Sequence, residues 1–110
     1  DAAPAIIDSV RAGKPVISEG PVSNMGRLDC KEPSHVALGC LSREADFFVT
    51  LTDEEALEAT QWLTTQGIHA KPSATAGLAA VYHSKSGDPF REAIGLTQSS
   101  RVLALITEQA

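Results

Sequence analysis

The sequence predicts an α/β fold in which layered helices surround a mostly parallel sheet. Segments with strand composition alternate with helical segments, as they do where right-handed crossovers connect parallel strands. Two of the strand segments, residues 47–51 and 102–106, are almost wholly apolar. Such runs are typical of strands that are buried on both faces, which favours the interior of a parallel sheet.

Composition limits the classes of protein to which the chain can belong. Its 110 residues have an ordinary apolar share, which fits a single domain or a fragment of one over residues 1–110. A formal charge of -5 with scattered lysines and arginines argues against a nucleic-acid partner. Because no apolar run reaches membrane-spanning length and no signal peptide opens the chain, we expect no membrane partner and a cytoplasmic location. The start without Met and the end at LALITEQA lead us to expect a fragment.

The beginning of the chain predicts one helix, a short strand and a long loop. A helix is expected over residues 2–11 and should stop at Gly13, with a brief strand over residues 14–18. Residues 19–33, called the 19–33 loop below, contain two Gly and two Pro without a clear period. Structureless loops of this length in compact domains are often functional.

The next segments carry clear helix-capping signals. Ser34 is placed to cap a helix over residues 35–45, with Cys40 in its core. Residues 47–51 follow as a strand, and Thr52 with Glu55 forms a capping box that starts the next helix. We assign Asp53 and Glu54 to the start of this helix, because acidic residues are favourable in a first turn. Gly67 should end it.

The last part of the chain predicts a helix of unusual composition. Ser73 is a good N-cap for residues 74–83, which are mostly small. Gly77 lowers the helix propensity by about 1 kcal/mol relative to Ala, which suggests that close packing selects it. Asp88 and Pro89 open a further helix that reaches roughly Gly95, and the apolar residues 102–106 follow.

The sequence offers little support for a metal site. Cys30 and Cys40 are ten positions apart without a C-x-x-C pair, and no His lies at the spacing of a zinc site. We therefore predict no metal ion and two reduced thiols. The three histidines, His35, His69 and His83, are far apart and are interpreted as core-edge or partly exposed side chains.

One position stands out as a candidate ligand contact. In open parallel sheets, ligands bind beyond the carboxyl ends of the strands, and Thr107 and Glu108 directly follow residues 102–106. The Thr107 hydroxyl could meet a ring nitrogen there, although a residue that simply ends a strand is the commoner case. Within the 19–33 loop, Arg27 is the side chain able to hold a carboxylate in a bidentate manner.

Four motifs, GRLDCKEPS, FFVTLTDEEALEA, KPSATAGLAAV and VLALITE, occur in an order that resembles the closing third of a fold type II pyridoxal phosphate enzyme. This is the tryptophan synthase β-like family. Among its members, the LDCKEPS and ITE stretches look most like diaminopropionate ammonia-lyase, followed by threonine dehydratase and serine racemase. The resemblance implies a partial large domain of such an enzyme.

The resemblance also implies a cofactor and two contact residues. Thr107 takes the place of the Ser, Thr or Cys that meets the pyridine nitrogen of pyridoxal 5'-phosphate, and Gly26 lies in the turn that passes near the cofactor ring. The parent enzyme would act on a small amino acid, by ammonia loss in an α,β-elimination, and would form a homodimer.

The chain departs from the family pattern in ways that limit its own chemistry. The Schiff-base lysine and the phosphate-binding glycines are absent, since none of Lys14, Lys31, Lys71 and Lys85 stands in the family context. We therefore assign no catalytic residue here and expect no activity without the rest of the parent chain. Lys71 also stands where relatives often carry Glu.

A second interpretation remains open. In it, the strand, capped helix and IHAKP link form a free-standing α/β module that binds an amino acid in a regulatory role. The order of the four motifs favours the enzyme fragment, whereas the domain-sized length favours the module. The length of the parent reading frame would separate the two.

Overall fold

A computed structural model describes residues 2–84 and 88–110, and the chain divides into two compact units, the first ending at Asp53 and the second beginning at Glu54. Five helices are present in the described ranges: α1 (Ala5–Ala12), α2 (His35–Glu44), α3 (Asp53–Thr65), α4 (Pro72–Tyr82) and α5 (Pro89–Ala93). None of these helices is long and apolar enough to cross a membrane.

The predicted strands are wrong for the residues that the structure describes. Those residues form no strand, and their one bridge is an isolated antiparallel pair between Ala70 and Gln109. Residues 102–106 have no regular secondary structure, with Leu103 86% and Leu105 72% exposed, and Phe47 is 53% exposed. The physical reason is that a strand needs neighbouring strands for its backbone hydrogen bonds and for burial of its faces. The parallel sheet is therefore not confirmed.

In the first unit, helix α1 organises the segment that follows it. The helix begins at Ala5, later than predicted, and ends as expected at Gly13, whose φ of 68° is the left-handed conformation that glycine adopts easily. The buried Ser9 hydroxyl accepts a hydrogen bond of 2.8 Å from the Val16 N–H. The Ser18 hydroxyl donates to the Asp8 carboxylate at 2.9 Å. The Val16 N–H and the Ser18 hydroxyl thus bond to side chains of α1, where a strand would bond to a neighbouring strand, and residues 14–18 form no strand.

Helix α2 confirms the predicted cap but not the predicted core. The Ser34 hydroxyl accepts from the Ala37 N–H at 3.3 Å, and the helix contacts α1. No residue of α2 is buried, and Cys40 is exposed. At 100° per residue, Val36 and Cys40 lie on one side of the helix and Leu38 on the opposite side. Because the apolar residues are spread around the axis, no single face can be buried.

In the second unit, α3 ends where the sequence predicts. Gly67 has a φ of 81°, and the Ile68 N–H donates to the Leu63 carbonyl at 3.1 Å, which closes the helix end. Leu63 then packs in a small core with Ala70 and Ala74, against which Leu78 lies partly buried. This core positions the start of α4.

Helix α4 differs from its prediction in its first residue and in the packing around Gly77. It begins at Pro72 with Lys71 as the N-cap, so the prediction that Ser73 is the N-cap is wrong. Proline is favoured in the first helical position, because its φ is already helical and it lacks an N–H that would be unsatisfied there. A Cβ at Gly77 would meet no atom within 4 Å, so this structure does not provide the expected close packing.

The last helix follows its sequence signals closely. The Asp88 carboxylate accepts from the Phe90 N–H at 2.8 Å, and Pro89 opens α5. The helix ends at Ala93, two residues before Gly95, whose φ is 68°. The predicted cap is thus confirmed.

A buried pair of hydroxyl groups links the two long helices of the second unit. Thr75 is fully buried, and its hydroxyl lies 2.7 Å from that of Thr60, 3.2 Å from the Ala56 carbonyl and 3.0 Å from the Pro72 carbonyl. Replacing it by the isosteric valine removes these bonds without creating a cavity, while the Thr60 hydroxyl keeps its 2.7 Å bond to the Ala56 carbonyl.

We therefore expect Thr75→Val to lower the free energy of unfolding by about 0.5–1.5 kcal/mol, the net contribution of an ordinary hydrogen bond. Urea denaturation followed by far-ultraviolet circular dichroism measures the change. Thr65→Val, at an exposed position of α3, is the control and should have a much smaller effect. Equal losses in the two variants would contradict a special role for the buried hydroxyl pair.

Candidate functional site

The 19–33 loop of the first unit is held at one side by a lysine ammonium group. Lys31 Nζ donates to the carbonyl oxygens of Ala2 and Pro21, both at 2.7 Å, and to Asp29 Oδ1 at 2.6 Å. The Lys31 carbonyl accepts from the Ser18 N–H at 2.8 Å. One residue therefore joins both ends of the loop to the segments on either side of α1.

A carboxylate holds the other side of the loop. The two oxygens of Asp53 accept hydrogen bonds of 2.6 Å each, one from the Ser23 hydroxyl and one from the Asn24 N–H. The Ser23 hydroxyl oxygen in turn accepts from the Met25 N–H at 3.0 Å, and both Ser23 and Met25 are buried. The Ser23 N–H donates to Asp29 Oδ2 at 3.3 Å. Ser23 is thus the centre of the network.

These bonds favour the ionised form of both carboxyl groups. The hydrogen bond from Lys31 is the main reason that the pKa of Asp29 is lowered from its usual value of 3.8. For Asp53, the hydrogen bond from Ser23, followed by that from Asn24, lowers the pKa in the same direction. Both groups are therefore acceptors at neutral pH, and neither has the raised pKa of a general acid.

Gly26, the first predicted cofactor contact, lies in the turn that this network supports. The Leu28 N–H donates to the Met25 carbonyl at 2.8 Å and closes the turn around it. Gly26 is exposed, its φ is not positive, and a Cβ built on it would meet no atom within 4 Å. No contact within the described structure requires glycine here, and the space beside it is open. Arg27, which follows, is also exposed.

Thr107, the second predicted contact, lies in the second unit and is exposed. It directly precedes the paired end of the chain: the Lys71 N–H donates to the Glu108 carbonyl at 3.2 Å, and the Ala110 N–H donates to the His69 carbonyl at 3.3 Å. Lys71 Nζ also lies 3.2 Å from Glu108 Oε1. The backbone beside Thr107 is therefore tied to the N-cap of α4. Gly26 and Thr107 belong to different units.

The lysines have surroundings that differ from one another. Lys31 and Lys71 are engaged as above, Lys14 is exposed, and Lys85 lies outside the described residues. Within the described ranges, no group of three or more His, Cys, Asp and Glu side chains could hold a metal ion. Cys30 and Cys40 are exposed free thiols.

The sequence interpretation missed the part that Asp53 takes in the loop. Its place at the start of α3 explained its charge completely, and no local pattern indicates a hydrogen-bond partner about thirty positions away. Ser23 and Lys31 were missed for the same reason, since loop residues of these types are common and carry no periodic signal.

Comparison with known proteins gives this geometry a context. A family described as "Pyridoxal-phosphate dependent enzyme" matches residues 1–108. Among solved structures, a threonine deaminase from T.th. superposes with a TM-score of 0.71 at 24% sequence identity, over 81% of this chain and 33% of the deaminase. The chain thus spans about a third of that protein's length. No curated protein matches.

The two findings agree with the resemblance to fold type II enzymes. The superposition shows that the chain has the fold of one part of such an enzyme, even though its described residues form no strand. The predicted cofactor of the parent enzyme, pyridoxal phosphate, is confirmed by the family match. From its match over nearly its whole length, the chain belongs to the family of pyridoxal-phosphate dependent enzymes.

Proposed function

We propose that the chain is the C-terminal part of the catalytic domain of a pyridoxal phosphate-dependent ammonia-lyase. The substrate is a small amino acid such as diaminopropionate, threonine or serine, from which ammonia is lost by α,β-elimination. The parent is a cytoplasmic homodimer. This part contributes some of the wall around the cofactor and has no activity without the rest of the parent.

One observation carries the fragment proposal: the family match spans residues 1–108, yet the apolar residues 102–106 are largely exposed. Side chains of this segment, including Leu103 and Leu105, are open to solvent. Such a segment gains backbone hydrogen bonds and apolar burial when further strands lie beside it. A longer parent, like the similar deaminase of which the match covers 33%, has residues to supply them.

Each of the two predicted contact residues has surroundings that suit a cofactor contact. The exposed Thr107 hydroxyl can hydrogen-bond to a ring nitrogen, and the open space beside Gly26 suits a flat ring. A neutral hydroxyl leaves that nitrogen unprotonated, whereas a carboxylate would favour its protonation. The bound cofactor supplies the electron withdrawal that elimination requires. The lysine that would bind it and the phosphate-binding glycines are assigned to the remainder of the parent.

The alternative, a free-standing regulatory module that binds an amino acid, makes a different prediction about the gene. It requires a reading frame that starts near Asp1 and ends near Ala110. A frame of several hundred residues, in which a lysine and a glycine-rich loop precede this chain, is expected instead. A frame with the short limits would refute the fragment proposal.

The Thr107 assignment predicts a change in the cofactor spectrum of the parent. Thr107→Asp places a carboxylate beside the ring nitrogen and should favour its protonation, so the visible absorbance of the bound cofactor and the partition between reaction products should both change. Ser99→Asp adds the same charge at an exposed position and is the control. An unchanged spectrum and unchanged kinetics in Thr107→Asp would exclude the proposed contact.

The Gly26 assignment predicts a loss of binding without a loss of folding. Because a Cβ at Gly26 meets nothing within 4 Å, Gly26→Val should leave the thermal midpoint nearly unchanged. The added side chain should nevertheless weaken cofactor binding by about tenfold or more, since it would occupy the space of the ring. Absorbance titration of the cofactor-free parent measures the affinity, and Gly39→Val, also at an open position, is the control. Wild-type affinity in Gly26→Val would refute the assignment.

A further inference from the structure

Asp53 makes two contacts that its place at a helix start does not require. Each carboxylate oxygen accepts its own 2.6 Å hydrogen bond, from Ser23 and from the next residue, Asn24. Hydrogen bonds to an ionised acceptor are shorter and stronger than those between neutral groups. Two such bonds to consecutive residues fix both the position and the orientation of this part of the 19–33 loop.

The contacts continue from Asp53 to the turn around Gly26. Ser23 donates its hydroxyl proton to Asp53 and, with the same oxygen, accepts from the Met25 N–H. Met25 is buried, and its carbonyl accepts the bond from Leu28 that closes the turn. Gly26 is therefore two residues from an atom that Asp53 holds directly, and the intervening backbone cannot move far without breaking these bonds.

Glu54, the next residue, is an acidic residue at the same helix start and serves as a comparison for Asp53. Glu54 has the same charge and the same place in the first turn of α3, but its side chain is exposed. Both residues can interact favourably with the helix dipole through their negative charge. The hydrogen bonds to Ser23 and Asn24 are made by Asp53, so a change in the loop is expected from Asp53 and not from Glu54.

We propose that Asp53 is a positioning residue, which holds the turn around Gly26 in the conformation that receives the cofactor. The proposal rests on the function proposed above for Gly26 and adds a residue that acts on it through Ser23 and Met25. The other side of the loop is already fixed by Lys31. Asp53 thus supplies the second of two charged anchors.

The experiment uses Asp53→Asn in the full-length parent protein. Asparagine keeps the size and one acceptor oxygen, but its amide nitrogen cannot accept the bond from the Asn24 N–H. Limited trypsin digestion of the cofactor-free protein reports on the loop directly, because Arg27 is an exposed cleavage site within it. We expect cleavage after Arg27 to be about tenfold faster or more, the factor that corresponds to loss of one hydrogen bond to a charged group.

The second readout is the cofactor. Asp53→Asn should weaken cofactor affinity, measured by absorbance titration, and shift the absorbance maximum of the bound form. Glu54→Gln removes the same charge one residue later and should change neither cleavage nor affinity. Ser23→Ala removes the other hydrogen bond to Asp53 and the bond that Ser23 accepts from the Met25 N–H, so it should also speed cleavage and weaken cofactor affinity. The double variant should show less than the sum of the two effects, since both sets of bonds hold the same part of the loop.

Each outcome separates this proposal from the proposed function. If Gly26→Val weakens cofactor binding while Asp53→Asn leaves both cleavage and affinity unchanged, the positioning role of Asp53 is wrong, but the proposed contact of Gly26 with the cofactor is supported. Faster cleavage with wild-type affinity would also overturn the positioning role, because the loop would then be anchored without effect on the cofactor. Equal effects of Glu54→Gln and Asp53→Asn would assign the change to charge alone. Should Asp53→Asn fail to fold, as judged by circular dichroism, Ser23→Ala answers the same question.

Discussion

A helix satisfies its backbone hydrogen bonds within its own residues, whereas a strand needs a neighbour, and this difference governs the whole structure. Helices form in both units, and α2 and α5 begin at side-chain caps. Residues 102–106 have the composition of an interior strand, but they have no regular secondary structure and are largely exposed. The isolated bridge between Ala70 and Gln109 shows the same constraint, because pairing occurs where another extended residue is close. The elements that need distant partners are thus the ones that the described structure leaves outside any sheet.

The 19–33 loop satisfies its backbone hydrogen bonds in a way that differs from both a helix and a strand. With neither a helix nor a ladder, its polar groups bond to charged side chains, chiefly those of Lys31 and Asp53. Such bonds are individually strong, and they fix a loop at a few points while leaving the exposed turn between them uncovered. A loop of this kind can be rigid without being buried. This combination suits a surface that must receive a ligand in a defined position.

The features that could be predicted from the sequence are those decided by residues close together along the chain. The caps at Ser34 and Asp88 and the stops at Gly13 and Gly67 were predicted correctly, because a cap is decided by residues within one turn. The start of α4 was predicted wrongly because two adjacent residues each signal a helix start. Ser73 is a good N-cap, and Pro72 suits the first helical position; the structure begins the helix at Pro72. Strand pairing and the partners of Asp53 depend on residues that are distant in the sequence, about thirty positions away in the case of Asp53. The motif order led to the family, but the roles of Gly26 and Thr107 rest on the resemblance and stay predictions.

The backbone beside Thr107 is held mainly by its own hydrogen bonds and less by charge. The resemblance places Glu where this chain has Lys71, and the structure pairs Lys71 with Glu108, the residue after Thr107. Because the Lys71 side chain is 54% exposed, this ion pair contributes only about 0–1 kcal/mol. The backbone bonds of Lys71 and Ala110 do not depend on side-chain identity. A change of charge at position 71 is therefore compatible with an unchanged path of the chain past Thr107, which explains how the departure from the family pattern can be tolerated beside a proposed cofactor contact.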